Sequence, residues 1–302
     1  YGHALSFDPD NPRIWNTMGK AQQKIGRHHE AIEAYDRAIA LDKNNAILWC
    51  NKGLAQKDLG KLAEAIESYD AAIKIDPHEA IAWFNKGIIL HGLNRDTEAL
   101  AAIDTALVLE PDDSRAWVIK GTLHNSLGTF EESVAASDRA TTLDPDNPVA
   151  WVTRGSALRQ LGRVKEAIES FNRAIDLGTR DPAAWNGKGA ALSELGRYEE
   201  AVTAYQSALE LAPHDATIWN SKGLALASFG MQKEALAAYM QATENSPDYA
   251  AAWANTGNTL SVLGQFDDAI RAFDRALAHD SDNPALWYSR GATLAALNRF
   301  EE

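Results

Sequence analysis

The chain has 302 residues, of which 45% are hydrophobic and 24% charged, as is typical of a folded globular protein. No apolar stretch approaches the roughly 20 residues that a membrane-spanning helix requires, so we expect no membrane insertion. The formal net charge of −13 argues against a nucleic-acid backbone as the main ligand.

Tryptophan occurs in the chain at a fixed interval of 34 residues and nowhere else. The nine positions are Trp15, Trp49, Trp83, Trp117, Trp151, Trp185, Trp219, Trp253 and Trp287. A fixed period of this length indicates stacked supersecondary units, each too small to bury its apolar face alone.

Helix-breaking residues recur with the same period and predict two helices in each repeat. With Trp at position 4, every proline falls at position 1 or position 32, and position 15 is Gly or Asn. Asp or Asn before a proline at position 1 predicts a helix start, and Gly or Asn at position 15 predicts a left-handed helix end. We therefore expect a first helix over positions 1 to 14 and a second helix over positions 18 to 31.

In chain order, residues 1–11 are the end of a truncated repeat, residues 12–283 form eight complete repeats, and residues 284–302 give the first helix and the start of the second helix of a ninth. We expect one solenoid over residues 1–302. Neither end carries a polar capping helix, which predicts that the chain is a piece of a longer protein.

Two further positional patterns concern the packing between helices. Position 8 is Gly in all nine copies, and position 24 is usually aromatic, so we expect each Gly to make room for a ring. Position 7 is usually Lys or Arg, and the residue 16 positions earlier is usually Asp, as in Lys52 and Asp36. Both partners are lost together at Thr256 and Met240, which predicts a ladder of inter-repeat pairs. The alternative interpretation is that the cations at position 7 form a row that binds anions.

The pattern of Trp at position 4, Gly at 8, Ala at 20, an aromatic residue at 24, Ala at 27 and Pro at 32 resembles the tetratricopeptide repeat family over the whole chain. The form Trp-x-x-Lys-Gly is similar to prokaryotic members with many repeats. The resemblance implies an all-α, right-handed superhelix whose concave wall of first helices holds an extended peptide.

Positions 2, 5, 9 and 12 of the first helix lie about 80° to 160° around the helix from Trp and form this first-helix wall. An apolar strip through the second and third complete repeats is the strongest candidate for an anchor site, and asparagines could bond a peptide backbone. The candidate partner-binding residues are Ile47, Cys50, Asn51, Leu54, Ile81, Phe84, Asn85, Ile88, Arg115, Val118, Val149, Val152, Arg159, Asn186, Asn220 and Asn258.

The sequence therefore predicts a non-enzymatic scaffold that binds a protein or peptide, without nucleic acid, metal or cofactor. The alternative for the apolar strip is that these residues contact only one another. The family's clamp for C-terminal carboxylates needs Lys at position 5, which no copy has. The eight histidines lack metal-ligand spacing, and the lone Cys50 favours a reducing compartment such as the cytoplasm.

Two other functions remain open. The repeat arm of O-linked N-acetylglucosamine transferase is similar in length and has asparagines at position 6, which this chain matches in part with Asn51, Asn85 and Asn255. The chain would then be the substrate-recruiting arm of an enzyme such as a glycosyltransferase. Complementary half-repeats at the two ends predict, as the other alternative, head-to-tail self-association.

We also expect the repeat over residues 114–147 to be the least stable, because Ser133, Ser137 and Thr141 replace larger apolar residues in its second helix.

Overall fold

The structure is a computed structural model that describes residues 8–299 and residue 301. In that part the chain contains 17 α-helices and no strand, so the prediction of an all-α fold is confirmed. The chain divides into two compact units, with the boundary between Pro145 and Asp146.

Both units are built from alternating first and second helices. The helices of the first unit are α1 Pro12–Lys24, α2 His28–Leu41, α3 Ala46–Asp58, α4 Leu62–Ile75, α5 Ala80–Gly92, α6 Asp96–Leu109, α7 Ser114–Leu127 and α8 Phe130–Leu143. Those of the second unit are α9 Pro148–Gln160, α10 Val164–Asp176, α11 Pro182–Glu194, α12 Tyr198–Leu211, α13 Ala216–Ser228, α14 Gln232–Asn245, α15 Ala250–Val262, α16 Phe266–His279 and α17 Pro284–Ala296. Within each unit, a first helix packs against the second helix of its own repeat, and that second helix packs against the next first helix. Each unit is therefore a stack of helical hairpins.

The predicted caps define the first helices. The side chain of Asn11 accepts a hydrogen bond from the Arg13 amide at 3.0 Å, and Asp181 caps α11 in the same way. Position 15 is left-handed in the described repeats, with φ of 75° at Gly60 and 58° at Asn94. Only Gly, and at some cost Asn, adopts this conformation readily.

The second helices begin one position earlier than expected and end one position earlier. Helix α4, for example, covers positions 17 to 30 of its repeat. The helix stops there because Asp76 has extended backbone angles, φ −133° and ψ 99°. The residue before a proline is driven into this region by a clash with the proline ring, and Pro77 follows directly.

In seven repeats the glycine at position 8 makes room for the side chain at position 24 of the same repeat, and in six of these that side chain is an aromatic ring, as predicted. A Cβ atom on Gly53 would lie 2.9 Å from Cζ of Tyr69, and one on Gly223 would lie 2.5 Å from Cε1 of Tyr239. Both rings are buried at the centre of their hairpins. The helix-weakening glycines are thus required by close packing.

The tryptophans fix the loops between repeats through a hydrogen bond that the sequence pattern did not reveal. The indole Nε1 of Trp83 donates to the carbonyl oxygen of Pro77 at 3.0 Å, and that of Trp219 donates to Pro213 at 2.8 Å. The same bond, always six residues back, is present at Trp15, Trp49, Trp117, Trp253 and Trp287. Because Phe and Tyr have no such donor, this bond accounts for Trp at position 4.

Over the part of the chain that the structure describes, every helix is too short or too polar to cross a bilayer.

Candidate functional site

Five of the candidate partner-binding residues meet in one groove of the first unit. The groove has a volume of about 250 Å³ and lies where α3, α5 and α7 come together with the end of α6. Its apolar lining is formed by Leu54, Ile81 and Phe84, and Asn85 and Arg115 complete the predicted set. We call it the Phe84 groove.

The apolar lining is open to solvent. Ile81 on α5 is 53% exposed, and its equivalent on α3, Ile47, is 52% exposed. Phe84 is half-buried, and the guanidinium carbon of Arg115 lies 5.2 Å from the centre of its ring. A cation over an aromatic face is favourable, so Arg115 helps to hold the ring. Phe84 also packs against the buried cluster that contains Ile103 and Leu107, so only part of its side chain lines the groove.

The Arg115 side chain is positioned by Asp113, the cap of α7. Arg115 donates to both carboxylate oxygens, with Nε to Oδ1 at 3.0 Å and Nη2 to Oδ2 at 2.7 Å. Burial would raise the pKa of Asp113, but Arg115 and the backbone amides of Arg115 and Ala116 hold that pKa below its usual range. Both groups therefore stay charged, and their charges cancel locally.

Unpaired negative charge remains near the groove. The carboxylate of Glu110 lines it and is exposed. Burial, together with the carboxylates of Asp76 and Glu110, raises the pKa of Glu79, the residue before α5. Burial is the largest cause of this shift, and the carboxylates of Asp76 and Glu110 add to it. The exposed carboxylate of Glu110 favours a positively charged ligand group at this end of the groove.

Three of the candidate asparagines bond within the chain. Nδ2 of Asn51 donates to Oδ1 of Asn16 in the preceding repeat at 2.9 Å, and Nδ2 of Asn85 donates to the carbonyl oxygen of Ile81. Asn220 is buried; its Oδ1 accepts from Asn255 at 2.9 Å and its Nδ2 donates to Tyr249. The amides of Asn51 and Asn220 thus join neighbouring first helices, and that of Asn85 bonds within its own helix. All three have less capacity for a peptide backbone than the sequence indicates.

The other candidates do not share the Phe84 groove. Cys50, Val118 and Val152 are buried, with exposed fractions of 7%, 6% and 9%. Arg159 pairs with Glu194 at 2.7 Å. The rest lie elsewhere along the wall, with exposed Val149 and Asn258 and half-buried Ile88 and Asn186.

Sequence reasoning missed the residues that the loop before α7 contributes to the groove. Ala106 and Glu110 come from the end of α6 and the loop after it, and Asp113 is the helix cap. Their positions, 27, 31 and 34, lie outside the first helix, so a search of first-helix faces omits them. The capping pattern that places Asp113 directly before α7 could have identified one of these residues from the sequence.

The predicted ladder of inter-repeat pairs is confirmed at five rungs within the two units. Lys52 lies 2.7 Å from Asp36, Lys86 2.6 Å from Asp70, and Lys120 2.7 Å from Asp104. Lys222 donates to Gln206 and Arg290 to Asp274, each at 2.6 Å. Four of these cations, Lys52, Lys86, Lys120 and Lys222, also lie over the tryptophan of their own helix, for example Lys222 at 5.0 Å from the centre of the Trp219 ring. The five rungs thus tie five first helices to the preceding second helices.

A family model described as "Tetratricopeptide repeat" matches residues 16–80, 50–109, 92–148, 130–184, 152–216 and 186–250, and a second model with the same description matches residues 250–283. The chain belongs to the tetratricopeptide repeat family. No curated protein matches it.

Solved structures of the same fold support this assignment. One is the APC/C hetero-tetramer Cut9–Hcn1, with a TM-score of 0.68 and 18% identity over 88% of this chain; the chain spans 52% of that one. A second is YrrB, a repeat protein of this family with an unusual peptide-binding site, with a TM-score of 0.52 and 25% identity over 63% of this chain and 97% of that one. A third is a MamA fragment from Desulfovibrio magneticus RS-1, with a TM-score of 0.52 and 22% identity over 55% of this chain and 94% of that one.

Proposed function

We propose that the chain is a non-enzymatic interaction scaffold that binds an extended peptide on the first-helix wall of its first unit. The Phe84 groove is the observation that carries the proposal. It combines the exposed side chain of Ile81 and the half-buried side chains of Leu54 and Phe84 with a polar rim. Interface anchors are usually a few apolar or aromatic side chains held in such a pocket and surrounded by polar groups.

The lining also defines what the peptide would carry. An aliphatic or aromatic side chain would contact the exposed part of Phe84 and displace water from Ile81. A basic residue next to this anchor would lie near the exposed carboxylate of Glu110. The net charge of −13 favours the same kind of partner.

The family's solved members are consistent with this use. YrrB is a repeat protein with a peptide-binding site, and Cut9 is part of a hetero-tetramer with Hcn1. In both cases the repeats belong to a protein that binds a peptide or another chain.

The test is selection of peptides from a random displayed library, followed by affinity measurement with variants of the full chain. We expect the selected peptides to share an apolar residue beside Lys or Arg. Ile81→Glu and Phe84→Glu should each weaken binding at least about tenfold, as expected for loss of an anchor contact.

The matched control is Val108→Glu. Val108 is an apolar residue of α6 that is 79% exposed and does not line the groove. Circular dichroism confirms that each variant is folded. Peptides that bind the parent, Phe84→Glu and Val108→Glu equally well would show that the Phe84 groove is not the site.

A further inference from the structure

The ladder of inter-repeat pairs has a gap in the second unit, where an open groove lies between two second helices. Position 7 is Thr256 instead of a cation, and the residue that would face it is Met240 instead of Asp. The rungs on either side, Lys222 with Gln206 and Arg290 with Asp274, are complete. A cavity of about 530 Å³ lies at the gap.

This open groove is formed by three helices. Thr256 and Trp253 of α15 form its floor, Met240 and Glu244 come from α14, and α16 supplies the opposite wall. Met240 is 48% exposed, so the groove has an apolar wall in contact with solvent. The Thr256 hydroxyl is buried and donates to the Ala252 carbonyl oxygen at 2.8 Å, which leaves it directed along its own helix.

The filled rungs indicate which chemistry suits this place. In six repeats the cation of position 7 lies 5.0 to 6.0 Å from the centre of the tryptophan ring one turn earlier on the same helix. The alkyl stem of each cation covers the apolar surface between neighbouring repeats. Thr256 is too short to cover the ring of Trp253 in this way.

The charged groups around the open groove are two acids and two bases. Asp268 and Arg271 on α16 pair with each other, so their charges cancel. Glu244 remains on α14, where it accepts a hydrogen bond from the neutral amide of Gln241 at 2.6 Å, and Arg275 remains on α16. The α14 side, next to the electron-rich face of Trp253, is therefore the side that favours a cation.

We propose that the open groove binds a lysine side chain of a partner polypeptide, which takes the place that the chain's own Lys or Arg occupies in the other repeats. Its stem would lie between Met240 and Trp253, and its ammonium group would face the Trp253 ring and Glu244. This site is separate from the Phe84 groove, and it belongs to a different pair of repeats.

The test uses three short peptides that differ in one side chain: Ac-Gly-Lys-Gly-NH2, the same peptide with norleucine, and the same peptide with glutamate. Norleucine keeps the alkyl stem without the charge. Binding is followed by the indole N–H signal of Trp253 in the NMR spectrum of the full chain, assigned with Trp253→Phe. We expect saturable shifts in the millimolar range with the lysine peptide about two- to fivefold tighter than the norleucine peptide.

Variants of the full chain place the binding in the groove. Thr256→Lys supplies the missing cation within the chain and should abolish the shift, whereas Thr256→Val keeps the space and should preserve it. Met240→Asp restores the acid of the other rungs and should tighten the lysine peptide about two- to fivefold without tightening the norleucine peptide. The Met240→Asp result tests the proposal even if the Thr256→Lys variant does not fold.

Several results would overturn the proposal. Equal binding of the lysine and norleucine peptides would show an apolar site without preference for a cation. Tighter binding of the glutamate peptide would show that Arg275 determines the ligand. An unshifted Trp253 signal, or a shift that survives Thr256→Lys in a folded protein, would show that no lysine site exists there.

Discussion

Two helical glycines offer substitutions that are alike in chemistry and opposite in expected effect. Gly223 lies at position 8 of its repeat in α13, and Gly92 is the last residue of α5. A Cβ atom on Gly223 would lie 2.5 Å from Cε1 and 2.6 Å from Cδ1 of Tyr239, whereas a Cβ atom on Gly92 meets nothing within 4 Å. Only the first substitution should force the structure to move.

The two contributions can be estimated separately. Replacing Gly by Ala inside a helix stabilises it by about 1 kcal/mol. At Gly223 the added methyl group needs about 1 Å more space than the Tyr239 ring leaves, and overpacking of this kind costs about 1–3 kcal/mol. We therefore expect Gly92→Ala to stabilise α5 by up to about 1 kcal/mol and Gly223→Ala to lower the stability of the α13–α14 hairpin by up to about 2 kcal/mol.

Amide hydrogen exchange followed by mass spectrometry is the suitable assay, because it reports the free energy of opening of each helix in a repeat protein that need not unfold in one step. Protection should rise in α5 for Gly92→Ala and fall in α13 and α14 for Gly223→Ala. In a Tyr239→Ala background, Gly223→Ala should become stabilising, because the ring that it meets is gone. If Gly223→Ala increases protection in the parent chain, the close-packing account of these glycines is wrong.

The remaining predictions concern the ladder, a buried histidine and the cysteine. A double-mutant cycle of Lys86→Met and Asp70→Asn, measured by urea denaturation, should give a coupling free energy of about 0.5–1 kcal/mol. The value is small because Lys86 is 23% exposed and Asp70 51% exposed, so that solvent screens the pair. Zero coupling would show that the rung does not stabilise the fold. Burial, and to a smaller extent Lys120, lowers the pKa of His124 in the folded chain. As the pH drops, the unfolded chain therefore binds the proton at a higher pH than the folded chain does, and stability should fall below about pH 6.5. His124→Gln should flatten the pH dependence of the urea midpoint in this range, and identical profiles for parent and variant would contradict this. Burial, with Glu79 and Asp76, raises the pKa of Cys50 to about 12. Because the thiolate is the reactive form, Cys50 of the native chain at pH 8 should react with a disulfide reagent at least about a hundredfold more slowly than Cys50 of the chain unfolded in urea. Fast labelling of the native chain would refute this prediction.

Much of the fold could be predicted because it depends on short-range rules repeated many times. The caps at Asn11 and Asp181 and the left-handed Gly60 follow from the conformations that single residues allow. The pairing of Lys52 with Asp36 follows from joint changes of two positions between repeats within this one sequence. The internal repetition thus supplied comparisons that a single chain normally lacks.

The candidate site was predicted only in part. A helical projection gives the direction of a side chain but not the depth at which the neighbouring helix covers it. Cys50, Val118 and Asn220 occupy the same position of the repeat as Phe84, which lines the groove, yet adjacent helices bury them. Only the packed structure decided that Leu54, Ile81 and Phe84 share one groove with Glu110 and Asp113, and that a cavity opens at Thr256.

The sequence by itself determined the repeat, its two helices, the close-packed glycines and the ladder, because each depends on local geometry or on a contact that recurs with the period. The tertiary structure alone decided which wall residues remain accessible and where cavities form. These properties depend on the combined volumes of side chains from three or more helices, which no periodic pattern along one chain specifies.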